Sequence, residues 1–231
     1  MKLYPLVTLI YFFLTGLTIF AQDMNLEIRG VNTRTTTLST LEQASIISDI
    51  NPDHGSSWIS SYESVEVGIQ SSSEIKKIVG ASEEFSTAQK LLFGEASIND
   101  EVVINITYIP KNALSKSSTR SLRYSYTIVP DQEAEFPGGD KALYTFLNEK
   151  IARPILTNDK EEVDLTIVSF SINESGEVME ASIQQPSNNR DFDQALLGTI
   201  KSMPQWQAAM DASGTKVVQS FQLSIGYLVG C

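Results

Sequence analysis

Apolar and polar residues alternate along three stretches in the middle of the chain. These are Val65, Val67 and Ile69, then Val102, Ile104, Ile106 and Tyr108, then Leu122, Tyr124, Tyr126 and Ile128. A period of two puts every second side chain on one face, so each stretch predicts a strand buried on one side. Between the first two, Ser86 and Gln89 stand at capping-box spacing ahead of Leu91 and Leu92, which predicts a short helix. Three strands and one helix make a small β-rich α+β domain over residues 58–130. Lys111 to Arg120 reads as the loop before the third strand, and Pro130 to Glu135 as a short acidic hinge.

Beyond the hinge, over residues 131–231, the pattern changes from element to element. Pro137-Gly138-Gly139 is turn chemistry, with Asp140 placed to cap the helix behind it. Leu143, Phe146, Leu147 and Ile151 recur at helical spacing, and Arg153-Pro154 stops that helix. Val163 to Gln184 predicts a hairpin turning at Asn173-Glu-Ser-Gly176, and Pro186 ends it. Asp191 and Gln194 have capping spacing, and Phe192, Ala195, Leu196, Thr199, Ile200 and Met203 fall on one helical face. Pro204 closes this second helix and Trp206 follows. Val217, Phe221, Leu223, Ile225 and Tyr227 then alternate with Ser220, Gln222 and Ser224, a last strand buried on one side.

That order, with Glu-Phe-Pro-Gly-Gly at its start and Met-Pro-Gln-Trp after the second helix, resembles the TonB C-terminal domain family of Gram-negative bacteria. The resemblance covers about the last hundred residues and rests on five elements in fixed order. One departure is local: the family usually has proline two residues after the tryptophan, where this chain has Ala208. The implied fold is a two-layer α/β domain, two helices on an antiparallel sheet. The implied function is capture of a short extended segment of an outer-membrane transporter by strand addition. The implied contact positions lie on the last strand, at Val218, Ser220, Gln222, Ser224 and Tyr227. An edge strand exposes a row of N–H and C=O groups for this purpose.

The first 57 residues carry fewer signals. Met1-Lys2 precedes an apolar stretch from Leu3 to Phe20, and Ile19-Phe20-Ala21 resembles a cleavage site. Residues 1–21 therefore read as a secretory signal peptide, with an uncleaved membrane anchor as the rival. Residues 22–57, rich in Thr, Ser and Asn, read mostly as a linker.

Composition narrows the function classes. Seventeen basic and 28 acidic residues give a net charge of −11, which repels phosphate backbones and argues against nucleic acid. Cys231 is the lone cysteine, so no internal disulfide forms. His54 is the lone histidine, which leaves no Ser-His-Asp or Cys-His arrangement and no transition-metal ligand set. It reads as a solvated histidine in a Pro/Gly turn, and Trp206 as a core plug. No catalytic residue, metal or cofactor is expected.

Three functional readings follow. The leading one is a non-catalytic protein of the periplasm or cell envelope that binds a transporter or another envelope protein, touching the membrane only through residues 1–21 if these are uncleaved. The second is a periplasmic hydrolase using carboxylates among Glu63, Glu66, Glu74, Glu83, Glu84, Glu95, Asp100 and Glu101. The third is a structural module assembling with copies of itself through strand edges.

Overall fold

The computed structural model describes residues 27–30, 34–71, 74–112, 118–152 and 164–226. The expected signal peptide lies outside the described residues. In chain order the elements are β1 (Glu27–Gly30), β2 (Arg34–Thr37), α1 (Leu38–Gln43), α2 (Ile47–Ile50), β3 (Ile59–Gln70) and β4 (Ile75–Gly80). Next come α3 (Thr87–Phe93), β5 (Glu101–Pro110), β6 (Arg120–Val129) and α4 (Gly139–Leu147), which runs into one π-helical turn at Asn148–Ala152. The last are β7 (Thr166–Ile172), β8 (Val178–Gln185), α5 (Arg190–Lys201), β9 (Ala209–Met210), β10 (Lys216–Val217) and β11 (Gln219–Gly226). The fold class is α+β.

Buried apolar side chains fall into two clusters. The first lies under a five-stranded sheet in the order β2-β6-β5-β3-β4, antiparallel except for the β2–β6 pair. The alternating residues named from the sequence all face it: Val65, Val67, Val102, Ile104 and Ile128 are sealed from water. The Ser86 hydroxyl accepts from the Gln89 N–H while the Gln89 side chain accepts from the Ser86 N–H, so the expected capping box starts α3.

Two expectations change here. Residues 34–57 are not linker: β2 joins the sheet, and Leu41, Ala44, Ile47 and Ile50 from α1, α2 and their junction enter the first core. The strand β4 also went unread, because an edge strand carrying Lys76 and Lys77 has little alternation to show. On the open face, Lys77 Nζ and Asn105 Nδ2 both lie 3.0 Å from Glu66 Oε1. Those two bonds, Lys77 first, hold the Glu66 carboxyl below the usual range.

His54 is likewise not solvated. It is 5% exposed, with Nε2 3.0 Å from the Tyr62 hydroxyl and Nδ1 3.1 Å from the Tyr124 hydroxyl. Glu83 faces Tyr62 at 3.5 Å, and the Arg34 guanidinium lies over the Tyr124 ring. Burial pushes the His54 pKa down, partly opposed by Glu83, and pushes the Tyr62 hydroxyl up to about 12. The folded protein thus resists protonating a histidine that the unfolded chain protonates near pH ~6.5. The His54 contribution is complete above that value and is lost as pH falls through it, by up to about 1.4 kcal/mol per pH unit. Urea midpoints at pH 7.5 and 5.5 check this: the acid-induced drop is expected to shrink in His54→Phe relative to the parent.

The second core lies between α4, α5 and one face of a four-stranded antiparallel sheet in the order β1-β11-β7-β8. Leu143, Leu147 and Ile151 meet Phe192, Leu196 and Ile200 across Val168, Phe170, Ile172, Leu223 and Ile225. Trp206 is the expected core plug, 5% exposed against Phe136, Phe170 and Phe221. Two caps move by two residues. The N-cap of α4 is Gly138 in the left-handed region, with Asp140 inside the first turn. The N-cap of α5 is Asn189, whose side chain accepts from the Phe192 N–H, with Asp191 inside the first turn.

Candidate functional site

Strand β11 presents one face to the core and one edge away from β7. Gln219, Phe221, Leu223 and Ile225 point toward the helices, while Ser220, Gln222 and Ser224 line the opposite, uncharged face. The Ser220 hydroxyl lies 3.2 Å from that of Ser171, its partner across the β11–β7 ladder. The Ser220 N–H donates to Asn99 Oδ1 at 3.1 Å and so points away from β7. Since the β11–β7 register is unbroken from Gln219 to Ile225, Gln222 and Ser224 share that phase. These are the backbone groups that an added strand would pair with.

The edge is not open along its length, which corrects the expectation of an unpaired row. Glu27 to Gly30 pair antiparallel with Gly226 to Leu223, so β1 covers the C-terminal half of the edge and Arg29 stands opposite Ser224. At the other end Asn99, in the left-handed conformation that asparagine tolerates, caps Ser220. No strand among the described residues covers the edge at Gln219–Gln222. The physical cause is the cost of an orphaned ladder: unpaired backbone groups at a sheet edge take whatever segment lies near.

Of the five positions named from the sequence, Val218 is partly buried just ahead of β11. Ser220 and Gln222 are exposed, Ser224 is partly buried opposite β1, and Tyr227 lies outside the described residues. Sequence reasoning missed β1 and Asn99. The alternation of Leu26 and Ile28 with Glu27 and Arg29 was the available signal for the first.

The expected hinge is strapped to this same strand. Gln132 bridges to Met210 and Glu135 to Gln207. The buried Gln219 accepts from the Ala134 N–H at 2.7 Å and donates to Glu133 at 2.8 Å. A second concavity of about 370 Å³, lined by Glu135 to Gly138 and Gln205 to Gln207, brings the Phe-Pro-Gly-Gly and Pro-Gln-Trp segments together.

Residues 158–228 match the family model described as Gram-negative bacterial TonB protein C-terminal. Over those residues the chain matches a TonB C-terminal domain. The match runs from before β7 through β11, so it takes in the hairpin, α5 and the candidate edge. TonB C-terminal domains belong to cell-envelope proteins of TonB-dependent energy transduction, interact with outer-membrane proteins and are generally non-catalytic. No curated protein matches the chain, and no solved structure does.

Among the described residues, no group of three His, Cys, Asp or Glu side chains is placed to hold a metal ion. No described helix is long and apolar enough to cross a membrane. Several carboxylates on which a hydrolase would depend are tied into the first unit: Glu66 to Lys77 and Asn105, Glu95 to Lys76, and Glu101 to Ser125.

Proposed function

We propose that this is a non-catalytic protein of the periplasm or cell envelope whose TonB C-terminal domain binds an extended segment of another envelope protein. The foremost candidate is an outer-membrane transporter, and the mode is strand addition along β11. The observation that supports the reading is that this edge already takes a strand from a remote part of the chain by antiparallel pairing. Affinity comes from the backbone ladder, and side chains set beside Ser220, Gln222 and Ser224 supply selectivity. Val218, just ahead of the strand, belongs to the same surface, Tyr227 is a further contact position implied by the resemblance, and residues 1–21 direct export. Energy transduction is the process such binding serves.

The test is an affinity measurement on the full chain with peptides from the periplasm-facing segments of an outer-membrane transporter. Saturable binding is expected, weakened at least tenfold by Gln222→Pro, which deletes an N–H on the outward side while sparing the β7 ladder. No binding at millimolar peptide, or binding indifferent to Gln222→Pro, rejects the proposal.

One observation favours a second reading, self-assembly through edges. Ile75 and Val79 on the edge strand β4 are 58% and 63% exposed. Lys76 and Lys77 between them are the usual guard against such pairing. A size that grows with concentration and reverts in Val79→Lys supports it; a constant size removes it.

A further inference from the structure

We infer that Glu27–Gly30 is a built-in competitor for the partner's place on β11, so that a partner segment binds by exchanging with it. The inference rests on the reading of β11 as a partner-binding strand. As described, β1 spans Glu27–Gly30 and lies at the end of its sheet with β11 as its neighbour, so the ladder to β11 is the pairing that holds it. Three residues separate it from β2, which is fixed in the other sheet against β6. The tether is therefore short, and a short tether keeps a segment at high effective concentration beside its berth. A competitor of this kind lowers the apparent affinity for an outside segment by the fraction of time the edge is open. Among the described residues it does not close the edge completely: none of them pairs with Gln222, a foothold from which an incoming strand can pair and then advance over Leu223 to Gly226.

The register also states what the newcomer must be. It runs antiparallel to β11, as β1 does, and places backbone N–H groups opposite Ser224 and Gly226, where Arg29 and Glu27 now stand. It is extended, about six residues long to reach past the foothold, and has no proline at those two positions. Ladder phase makes a sharp distinction within β1 itself. The Arg29 N–H faces Ser224, whereas the Ile28 N–H faces away, so proline at 29 breaks the pairing and proline at 28 is tolerated.

The experiment uses the full chain and, as probe, a synthetic peptide with the sequence of residues 25–32, followed by amide chemical shifts. Arg29→Pro is expected to bind the peptide about tenfold more tightly than the parent, with shifts at Gln222 to Gly226, and Ile28→Pro to behave like the parent. Glu27→Pro, which removes the N–H opposite Gly226, is expected to repeat the Arg29→Pro result should that variant fold poorly. Equal affinity for the parent and both weakened variants, or shifts away from β11, overturns the inference. Transporter peptides separate the two claims. If they bind the parent and Arg29→Pro alike, strand addition stands and the competitor falls. If the 25–32 peptide binds Arg29→Pro on β11 and no transporter peptide does, the competitor stands and the proposed function falls.

Discussion

Trp206→Ala is expected to destabilise the protein by about 3–5 kcal/mol, the cost of emptying a large aromatic site in a packed core. The ring is the junction of the second cluster. Its centroid lies 5.4 Å from that of Phe136, 5.9 Å from Phe170 and 5.2 Å from Phe221, one residue each from the Pro-Gly-Gly approach, β7 and β11. Removing it loosens β11 from the side opposite its exposed face, so any contact on that face is weakened as well. Among the described residues Trp206 Nε1 has no hydrogen-bond partner in its buried position. Trp206→Phe keeps most of the ring and discards that unsatisfied donor, and is expected to cost less than half as much. Urea unfolding followed by circular dichroism measures both. Equal losses for the two variants would mean that the ring contacts are not what holds this junction.

Gly176→Ala is expected to cost about 3 kcal/mol or more, for two reasons that can be separated. Gly176 closes the β7–β8 hairpin with φ +83°, a left-handed position where a side chain is strained by about 1–2 kcal/mol. A Cβ there would also run into the Trp206 carbonyl, which is backbone and cannot swing aside. The two segments are pinned together by a 2.8 Å hydrogen bond from the Trp206 N–H to the Gly176 carbonyl. Gly214, at the tip of the β9–β10 loop, has φ +80°, and a Cβ added there would meet nothing within 4 Å among the described residues. Gly214→Ala should therefore pay the left-handed term alone. If the two alanine variants lose the same stability, the hairpin does not depend on the close approach to Trp206.

These two residues also mark how far the sequence could be read. The turn at Asn173 to Gly176 and the tryptophan after the second helix were each visible in the chain, but their contact was not. A turn signature is local, whereas the approach of Gly176 to Trp206 is created by the packing of α5 across β7 and β8. Strands β3, β5 and β6 were legible because each buries one face, and strict alternation has no other cause. Strand β2, Arg-Thr-Thr-Thr, was not, because four polar residues pairing in parallel leave no periodicity. The sequence signals put the caps of α4 and α5 two residues late, since Gly138 and Asn189 precede acids that suit a first turn equally well. His54 looked exposed from its Pro-Asp-His-Gly setting. The tyrosines that bury it come from β3 and β6, and Tyr124 is far away in sequence.

The candidate site was legible in its inward and outward pattern and illegible in its occupancy. Ser220, Gln222 and Ser224 do lie on one face of β11 and in one backbone phase. What covers the edge, β1 and Asn99, comes from the opposite end of the chain and from the other sheet's turn, and only the folded molecule brings them there.

The most direct measurement is residue-resolved amide hydrogen exchange along β11, with and without a saturating transporter segment. Pairing by strand addition predicts slower exchange at Gln222, with Ser224 staying protected and the amides of β1 becoming faster. Unchanged exchange throughout β11 at saturation, or new protection confined to β4 or β8, would contradict the account.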